Sequence, residues 1–288
     1  MTSNSFVYEG VYFFTNVVTP EDIISIRDEF VVRDEDIITL SYPKSGTNWM
    51  IEIINLIHCK GDNTWVQSVP NFLRSPWLET KDGYKSVSNI KDGVRFYTSH
   101  LPIQLFPKSF FNSKAKVIYI IRNPRDVMVS TFYFSKGIKF AKPPEKFEQF
   151  FDHFLQGEGN YGTWFDHVRG WLQMRGRENF LMIAYEELHQ DTRRTVERIS
   201  QFLGKKLEPE ELDSVLKNMS FQVMKRNDKS NFSEIPGHIL DLSKAPLMRK
   251  GITEDWKNHF TVAQSEAFDK IYQEKRAELP QGIFPWEK

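Results

Sequence analysis

The sequence is short of cysteine, of long apolar runs and of any excess of charge. Its single cysteine, Cys59, excludes an internal disulfide and fits a reducing compartment. No apolar stretch approaches the roughly 20 residues that a membrane-crossing helix needs. Met1-Thr2-Ser3-Asn4-Ser5-Phe6 has neither the basic start nor the apolar block of a secretory signal, so the cytoplasm is the expected address. Lys plus Arg and Asp plus Glu both total 38. No global field therefore draws the chain to nucleic acid or to an anionic membrane, and any anion site must be built locally. No linker, low-complexity tract or internal repeat divides the chain. With 288 residues, 40% of them hydrophobic and 26% charged, it has core material for one large domain spanning 1–288.

What is present begins with Lys44-Ser45-Gly46-Thr47. Before it, Asp36–Ser41 is short, β-branched and strand-like; after it, Asn48–Ile57 places apolar residues at helical spacing. A strand, a tight loop with Gly and Lys, then a helix aims unpaired backbone N–H groups and the positive helix end at a phosphate-like anion. Gly46 lets the backbone come close, Lys44 supplies a mobile cation, and Ser45 and Thr47 supply hydroxyls. The loop lacks the G-x-x-x-x-G-K-[ST] pattern of the NTPases, since Lys precedes the only Gly. It specifies an anion and leaves ATP unspecified.

Further strands are predicted at Lys116–Ile121 and Phe180–Ala184. Pro124 suits the first turn of a helix through Phe132, and a long helical pattern after Glu186-Glu187 runs to a stop at Gly204. Residues 145–157 and 160–175 read as aromatic-rich helices. Strands alternating with helices predict an α/β fold with a central parallel sheet, its ligands at the carboxyl ends of the strands. Polar candidates follow all three strands: Lys44, Arg122 and Tyr185. Arg122, in Arg122-Asn123-Pro124-Arg125-Asp126, offers a planar fork of donors to a phosphate or, equally, to a structural carboxylate. Arg249-Lys250-Gly251 is a third basic cluster, read either as solvated surface or as an anion contact whose Gly permits close approach.

These segments resemble the cytosolic sulfotransferases, most closely their hydroxysteroid and bile-salt branch, and the resemblance runs through the whole chain in order. Tyr42–Trp49 is similar to the family's 5′-phosphosulfate loop, Arg122–Ser130 to its 3′-phosphate strand–loop–helix, and Arg249-Lys250-Gly251 to the segment closing over that phosphate. Lys257-x3-Thr261-Val262-x3-Glu266 resembles the family's dimerisation motif, and Phe284-Pro285-Trp286-Glu287 its ending.

The resemblance implies sulfuryl transfer from 3′-phosphoadenosine 5′-phosphosulfate to an alcohol, with no metal, in a homodimer. It implies that Lys44, Ser45, Gly46, Thr47, Asn48 and Trp49 hold the 5′ end, and Arg122, Ser130, Arg249, Lys250 and Gly251 the 3′-phosphate. Trp49 and Phe221 would wall the adenine, with Tyr185, Ser220 and Met224 nearby. His100, in Thr98-Ser99-His100-Leu101-Pro102, matches the catalytic base; from its own residues it is one of seven histidines. Lys44 would stabilise the leaving oxygen, and Ser130 would hold Lys44 back until an acceptor arrives. Phe72, Trp77, His100 and Phe134 match acceptor-facing positions.

Two departures bear on the acceptor. Thr98 stands where phenol-directed members carry lysine, which agrees with an aliphatic alcohol. Ser135 replaces a pocket Trp, and Asn231–Lys244 differs from the steroid-enzyme pattern and carries an insertion with Pro236-Gly237. A P-loop kinase shares the architecture but needs Mg²⁺ on a strand-end Asp, where this chain has Arg122. A non-catalytic steroid binder would have no reason to keep both Lys44 and His100.

Overall fold

The computed structural model describes residues 5–287. Met1–Asn4, on which part of the N-terminal reading rests, lie outside the described residues. Four strands form the central sheet: β3 (Ile37–Ser41), β4 (Phe96–Ser99), β5 (Lys116–Ile121) and β6 (Phe180–Ala184). Their order is β4-β3-β5-β6 and every pairing is parallel. Ahead of them, β1 (Ser5–Tyr8) and β2 (Val11–Phe14) make an antiparallel hairpin. The chain is a single α/β domain, as its alternation of patterns predicts.

Parallel strands read as near-continuous apolar runs because helices cover both faces. Here the period of two sends alternate side chains to two cores. Ile38, Leu40, Val117, Tyr119 and Ile121 pack in one core with Trp171 and Phe106; Ile37, Ile118, Ile120 and Ile183 pack in the other with Ile53, Val196 and Ile199. The first core is covered by helices that include Trp164–Leu172, Pro124–Ser135 and Val262–Arg276, the second by Thr47–His58, Thr192–Leu203 and Pro209–Asn218.

Pro124 and Gly204 act as their positions predict, and local bonds set the other helix ends. Pro124 opens the helix Pro124–Ser135 behind an Asn123 cap, Gly204 ends Thr192–Leu203 in the left-handed region at φ 70°, and Thr261 caps the C-terminal helix reciprocally with Gln264. Two expectations are corrected. The long helix after Glu186 is two, Tyr185–Gln190 and Thr192–Leu203, because the Asp191 side chain accepts from the Arg194 N–H and starts a new helix. A fourth sheet strand, β4, lies between the first two predicted ones, so Arg122 follows the third sheet strand in chain order. Its four residues are too short a run to show a period.

The strand order reverses between β3 and β5, where such sheets open a crevice beyond the carboxyl ends. Lys44 and Arg122 leave from those two strands, and the Arg122 Nη1 donates to the Lys44 carbonyl at 3.3 Å. Among the described residues no helix is long and apolar enough to cross a membrane.

Candidate active site

Above the crevice lies a cavity of about 920 Å³. One half is built on the Lys44 loop. Gly46 is the left-handed cap of the helix Thr47–His58, at φ 107°, and a Cβ there would stand 2.6 Å from the Tyr185 ring. The loop therefore requires glycine both for its turn and for its approach to Tyr185. Lys44 is itself left-handed, at φ 67°, an uncommon state for a side chain with a Cβ and one that occurs where a loop is shaped for a task. The buried Ser45 hydroxyl and the Arg122 Nε have no partner within the described structure. Of these Arg122 lines the cavity, and an unanswered guanidinium donor beside a helix N-terminus suits an anion with several oxygens.

Arg122 is buried, lies over the Tyr185 ring at 4.2 Å, and donates through Nη2 to the Ile252 carbonyl at 2.9 Å. That bond ties it to the Arg249-Lys250-Gly251 segment. Asp255 grips both cations there: Arg249 Nη2 and Lys250 Nζ each donate to its carboxylate at 2.6 Å. Burial works against the Asp255 charge, but the bonds from Lys250 and Arg249 hold its carboxyl well below the usual range. Asp126 fastens the same segment by accepting from the Glu254 and Trp256 N–H groups at 2.7 and 2.9 Å. Gly251 sits at φ +67°, where a Cβ would run into the Phe221 ring. Three stretches far apart in sequence thus meet as one cationic corner.

Trp49 donates Nε1 to the Met219 carbonyl at 2.9 Å and lies 5.4 Å from the Tyr185 ring. Trp49, Tyr185, Phe221 and Met224 line this half together with His189, whose ring is 5.0 Å from Trp49. Asn48 and Thr47 also face the cavity, and Asn71 donates to the Asn48 side-chain oxygen at 3.0 Å. Ser45 and Ser220 do not line it; Ser220 is the cap residue of the helix Phe221–Arg226.

His100 stands between the halves, just past β4. Its Nδ1 is 2.8 Å from the Ser41 carbonyl. A carbonyl can only accept, so Nδ1 carries the hydrogen and Nε2 keeps a free lone pair. The His100 N–H donates to Glu79 Oε1 at 2.8 Å, and its C=O accepts from His167 Nε2 at 3.0 Å. His167 in turn accepts at Nδ1 from the Tyr119 hydroxyl at 2.9 Å. Burial pulls His100 down to about 4, with the Ser41 bond opposing it and Lys44 reinforcing it. Burial likewise pulls His167 down to about 3 and pushes Glu79 up to about 7. The imidazole is neutral at pH 7, as a proton acceptor must be.

The other half is aromatic. Trp77 lies 6.0 Å and Tyr161 5.4 Å from the His100 ring, and Phe134, Phe154 and Tyr12 extend the wall. Phe72 does not reach the cavity; it packs behind Phe232, centroids 5.7 Å apart. The segment Asn231–Lys244 covers this half through Phe232, Ile235, Ile239 and Leu240. It docks just past the end of the helix Pro124–Ser135 by the Ile138–Leu240 bridge and the Asp241 N–H bond to the Gly137 carbonyl at 2.8 Å. Ser135 lines the wall while donating to the Phe132 carbonyl at 2.7 Å. Thr98 is buried away from it against Ser75, at 3.0 Å.

Ser130 and Phe134 are four residues apart on one helix face, and both line the cavity. The Lys44 ammonium lies over the Phe134 ring, 3.8 Å from its centroid, and makes no hydrogen bond to Ser130. Burial, then Arg122 and Arg249, pull its amine down to about 7. Glu79, Tyr161 and His167 escape the sequence reading, as does the fastening role of Asp126, because their partners lie far off in the chain; Asp255 escapes it although Arg249 and Lys250 are only six and five residues away. Among the described residues no group of three or more His, Cys, Asp and Glu side chains is arranged to hold a metal ion.

The comparisons with known proteins give the family. The profile of the family described as "Sulfotransferase domain" matches residues 34–280. The chain is 58% identical to "Sulfotransferase 2A1" of Macaca fascicularis over 287 residues, covering 100% of both. It is 57% identical to "3-beta-hydroxysteroid sulfotransferase" of Cavia porcellus, again over 100% of both chains. Among solved structures, that of mouse sulfotransferase SULT7A1 complexed with PAP matches with a TM-score of 0.78 at 30% identity, covering 94% of this chain and 95% of that one. A cavity with a cationic corner, an aromatic half and a neutral histidine between them, on a chain matched end to end by such relatives, has one family origin: the chain belongs to the sulfotransferases, in their hydroxysteroid branch.

Proposed function

We propose that the chain transfers a sulfuryl group from 3′-phosphoadenosine 5′-phosphosulfate to a hydroxyl of a hydroxysteroid, bile acid or similar alicyclic alcohol. The observation that carries this is one continuous cavity, with Arg122, whose Nε is unanswered, at one end, aromatic walls at the other and the His100 Nε2 lone pair between. The names of the hydroxysteroid relatives and the PAP in the mouse structure support the same donor and acceptor class.

The donor, when bound, supplies the sulfuryl group and departs as adenosine 3′,5′-bisphosphate. Lys44 through Trp49 receive its 5′ end, with Ser45 and the helix N-terminus answering the anionic oxygens. Arg122, Ser130, Arg249, Lys250 and the Gly251 backbone take the 3′-phosphate, each charge-assisted bond worth about 1.5–3 kcal/mol. Trp49 and Phe221 flank the adenine, with Tyr185, Met224 and Ser220 supporting them. Trp77 and Phe134 pack the acceptor, with Phe72 behind. His100 Nε2 accepts the proton of the acceptor hydroxyl, and a base so held contributes about 10²–10⁴-fold in rate. Lys44 brings its ammonium to the leaving oxygen, a charge role that kinases give to magnesium.

We also propose a cytoplasmic enzyme whose one domain spans 1–288, paired as a homodimer through Lys257–Glu266. The pairing is supported by Val262, which is 77% exposed at the start of its helix. The functional test is a panel of hydroxysteroids and bile acids with labelled donor, in chelator. Sulfated steroid is the expected product, and labelled product from no acceptor on the panel would overturn the reading.

A further inference from the structure

Lys44 and Phe134 belong to different halves of the cavity, yet they touch. Lys44 comes from the loop after β3, where the anion donors are, and Phe134 from the last turn of the helix Pro124–Ser135, on the aromatic wall. The ammonium stands 3.8 Å from the ring centroid, well inside the range in which an aromatic face attracts a cation. Among the described residues no carboxylate pairs with Lys44. The charged groups that act on it are Arg122 and Arg249, both repulsive, and His100, which is neutral. The Phe134 face is therefore the attractive partner that the ammonium has found. Ser130, one turn earlier on the same helix face, leaves its hydroxyl free of this role.

We propose that Phe134 is a positioning residue, which parks the Lys44 ammonium on the acceptor side of the cavity and releases it when an acceptor's apolar face covers the ring. The proposal rests on the sulfotransferase reading above. A donor bound alone is exposed to water. Water's oxygen would bond to sulfur, the bond from sulfur to the bridging oxygen would break with its electron pair left on the phosphate, and water's protons would pass to solvent. An ammonium beside the bridging oxygen favours that loss, and an ammonium held on Phe134 does not. Because the ring face holds either the cation or an acceptor, the two half-sites are coupled with no backbone movement.

Phe134→Leu keeps an apolar side chain and deletes the ring face; Phe134→Tyr restores the face. In the ligand-free enzyme, the pH dependence of Lys44 acetylation by acetic anhydride, followed by mass spectrometry, reads the contact directly. Losing the ring removes stabilisation of the cation, so the Lys44 midpoint should fall by about half to one pH unit in Phe134→Leu and return in Phe134→Tyr. At pH 6, acceptor-free release of sulfate from the donor should rise several-fold in Phe134→Leu and return in Phe134→Tyr. A midpoint that does not move, release equal to the parent's, or a change that Tyr fails to reverse overturns the proposal. Absence of sulfated steroid from the parent enzyme would instead overturn the functional reading, on which the acetylation midpoint does not depend.

Discussion

The Ser41 carbonyl accepts the Nδ1 hydrogen of His100 at 2.8 Å, and that bond decides which ring nitrogen is left for chemistry. Ser41 is the last residue of β3 and His100 the first after β4, so two neighbouring parallel strands fix the tautomer between them. Glu79 and His167 hold the backbone of His100 from either side. The imidazole is thus oriented before any ligand arrives.

Replacing that ring tests its role. His100→Ala should lower kcat by about two orders of magnitude or more while the affinity for adenosine 3′,5′-bisphosphate stays nearly constant. In the parent, the acid limb of kcat/KM should lie near pH 4, because burial keeps the imidazole unprotonated down to about that value. Turnover within a few-fold of the parent would remove His100 from the reaction.

Stability should depend on pH in an unusual way. His100 and His167, lowered to about 4 and 3, are neutral in the folded state while the unfolded state binds their protons below about 6.5. Alone they would make stability fall as pH falls through that window. Glu79 and Glu186, both raised by burial to about 7, have the opposite sign: folded protein holds their protons from about 7 down to the ordinary carboxyl range. Each unmatched proton changes stability by about 1.4 kcal/mol per pH unit, so the two pairs largely cancel between about pH 6.5 and 4.5. Below that Glu79 and Glu186 are protonated in both states, and the histidine difference remains together with carboxylates that their partners hold low, such as Asp255. Urea midpoints should be flat from pH 6.5 to 4.5 and then drop. A steady decline from pH 6.5 would show that the buried carboxyls do not carry protons.

Arg249 tests the 3′-phosphate corner. Asp255 holds Arg249 and the Tyr133 ring lies beneath it, with its guanidinium carbon 4.7 Å from the centroid. Arg249→Ala should weaken adenosine 3′,5′-bisphosphate about ten- to a hundredfold, equivalent to about 1.5–3 kcal/mol, and adenosine 5′-monophosphate far less. Calorimetry with both nucleotides measures it. Equal weakening would take Arg249 out of the 3′-phosphate site.

Val262 tests the dimer. It follows the Thr261 cap, at the first position of the C-terminal helix, where an acidic side chain favours the helix itself. Val262→Glu should therefore leave the fold intact and yield monomer, because pairing two copies would bury an unpaired charge. Light scattering that returns a dimer mass for the variant would reject the interface.

The sequence by itself determined what short-range physics can carry. Strands β3, β5 and β6 are legible as short, mostly apolar runs, the Lys44 loop as glycine and cation between strand and helix, and the helix start at Pro124 and stop at Gly204 as local backbone preferences. Each of these depends on neighbours within a few residues, which a pattern records. Strand β4 and the first hairpin went unread because strands of four residues stabilise only by pairing, and pairing is not local.

Only the tertiary structure decided the rest. It brings Arg122, Arg249 and Lys250 to one corner with Asp126 and Asp255 as their fasteners, sets Glu79 and His167 around His100, and moves Phe72, Ser45 and Ser220 off the cavity wall. It also places the Lys44 ammonium on Phe134. Apart from the grip of Asp255 on Arg249 and Lys250, six and five residues away, these are contacts between groups about twenty to more than a hundred residues apart. Their energies depend on distance and burial in space, and no spacing along the chain encodes either.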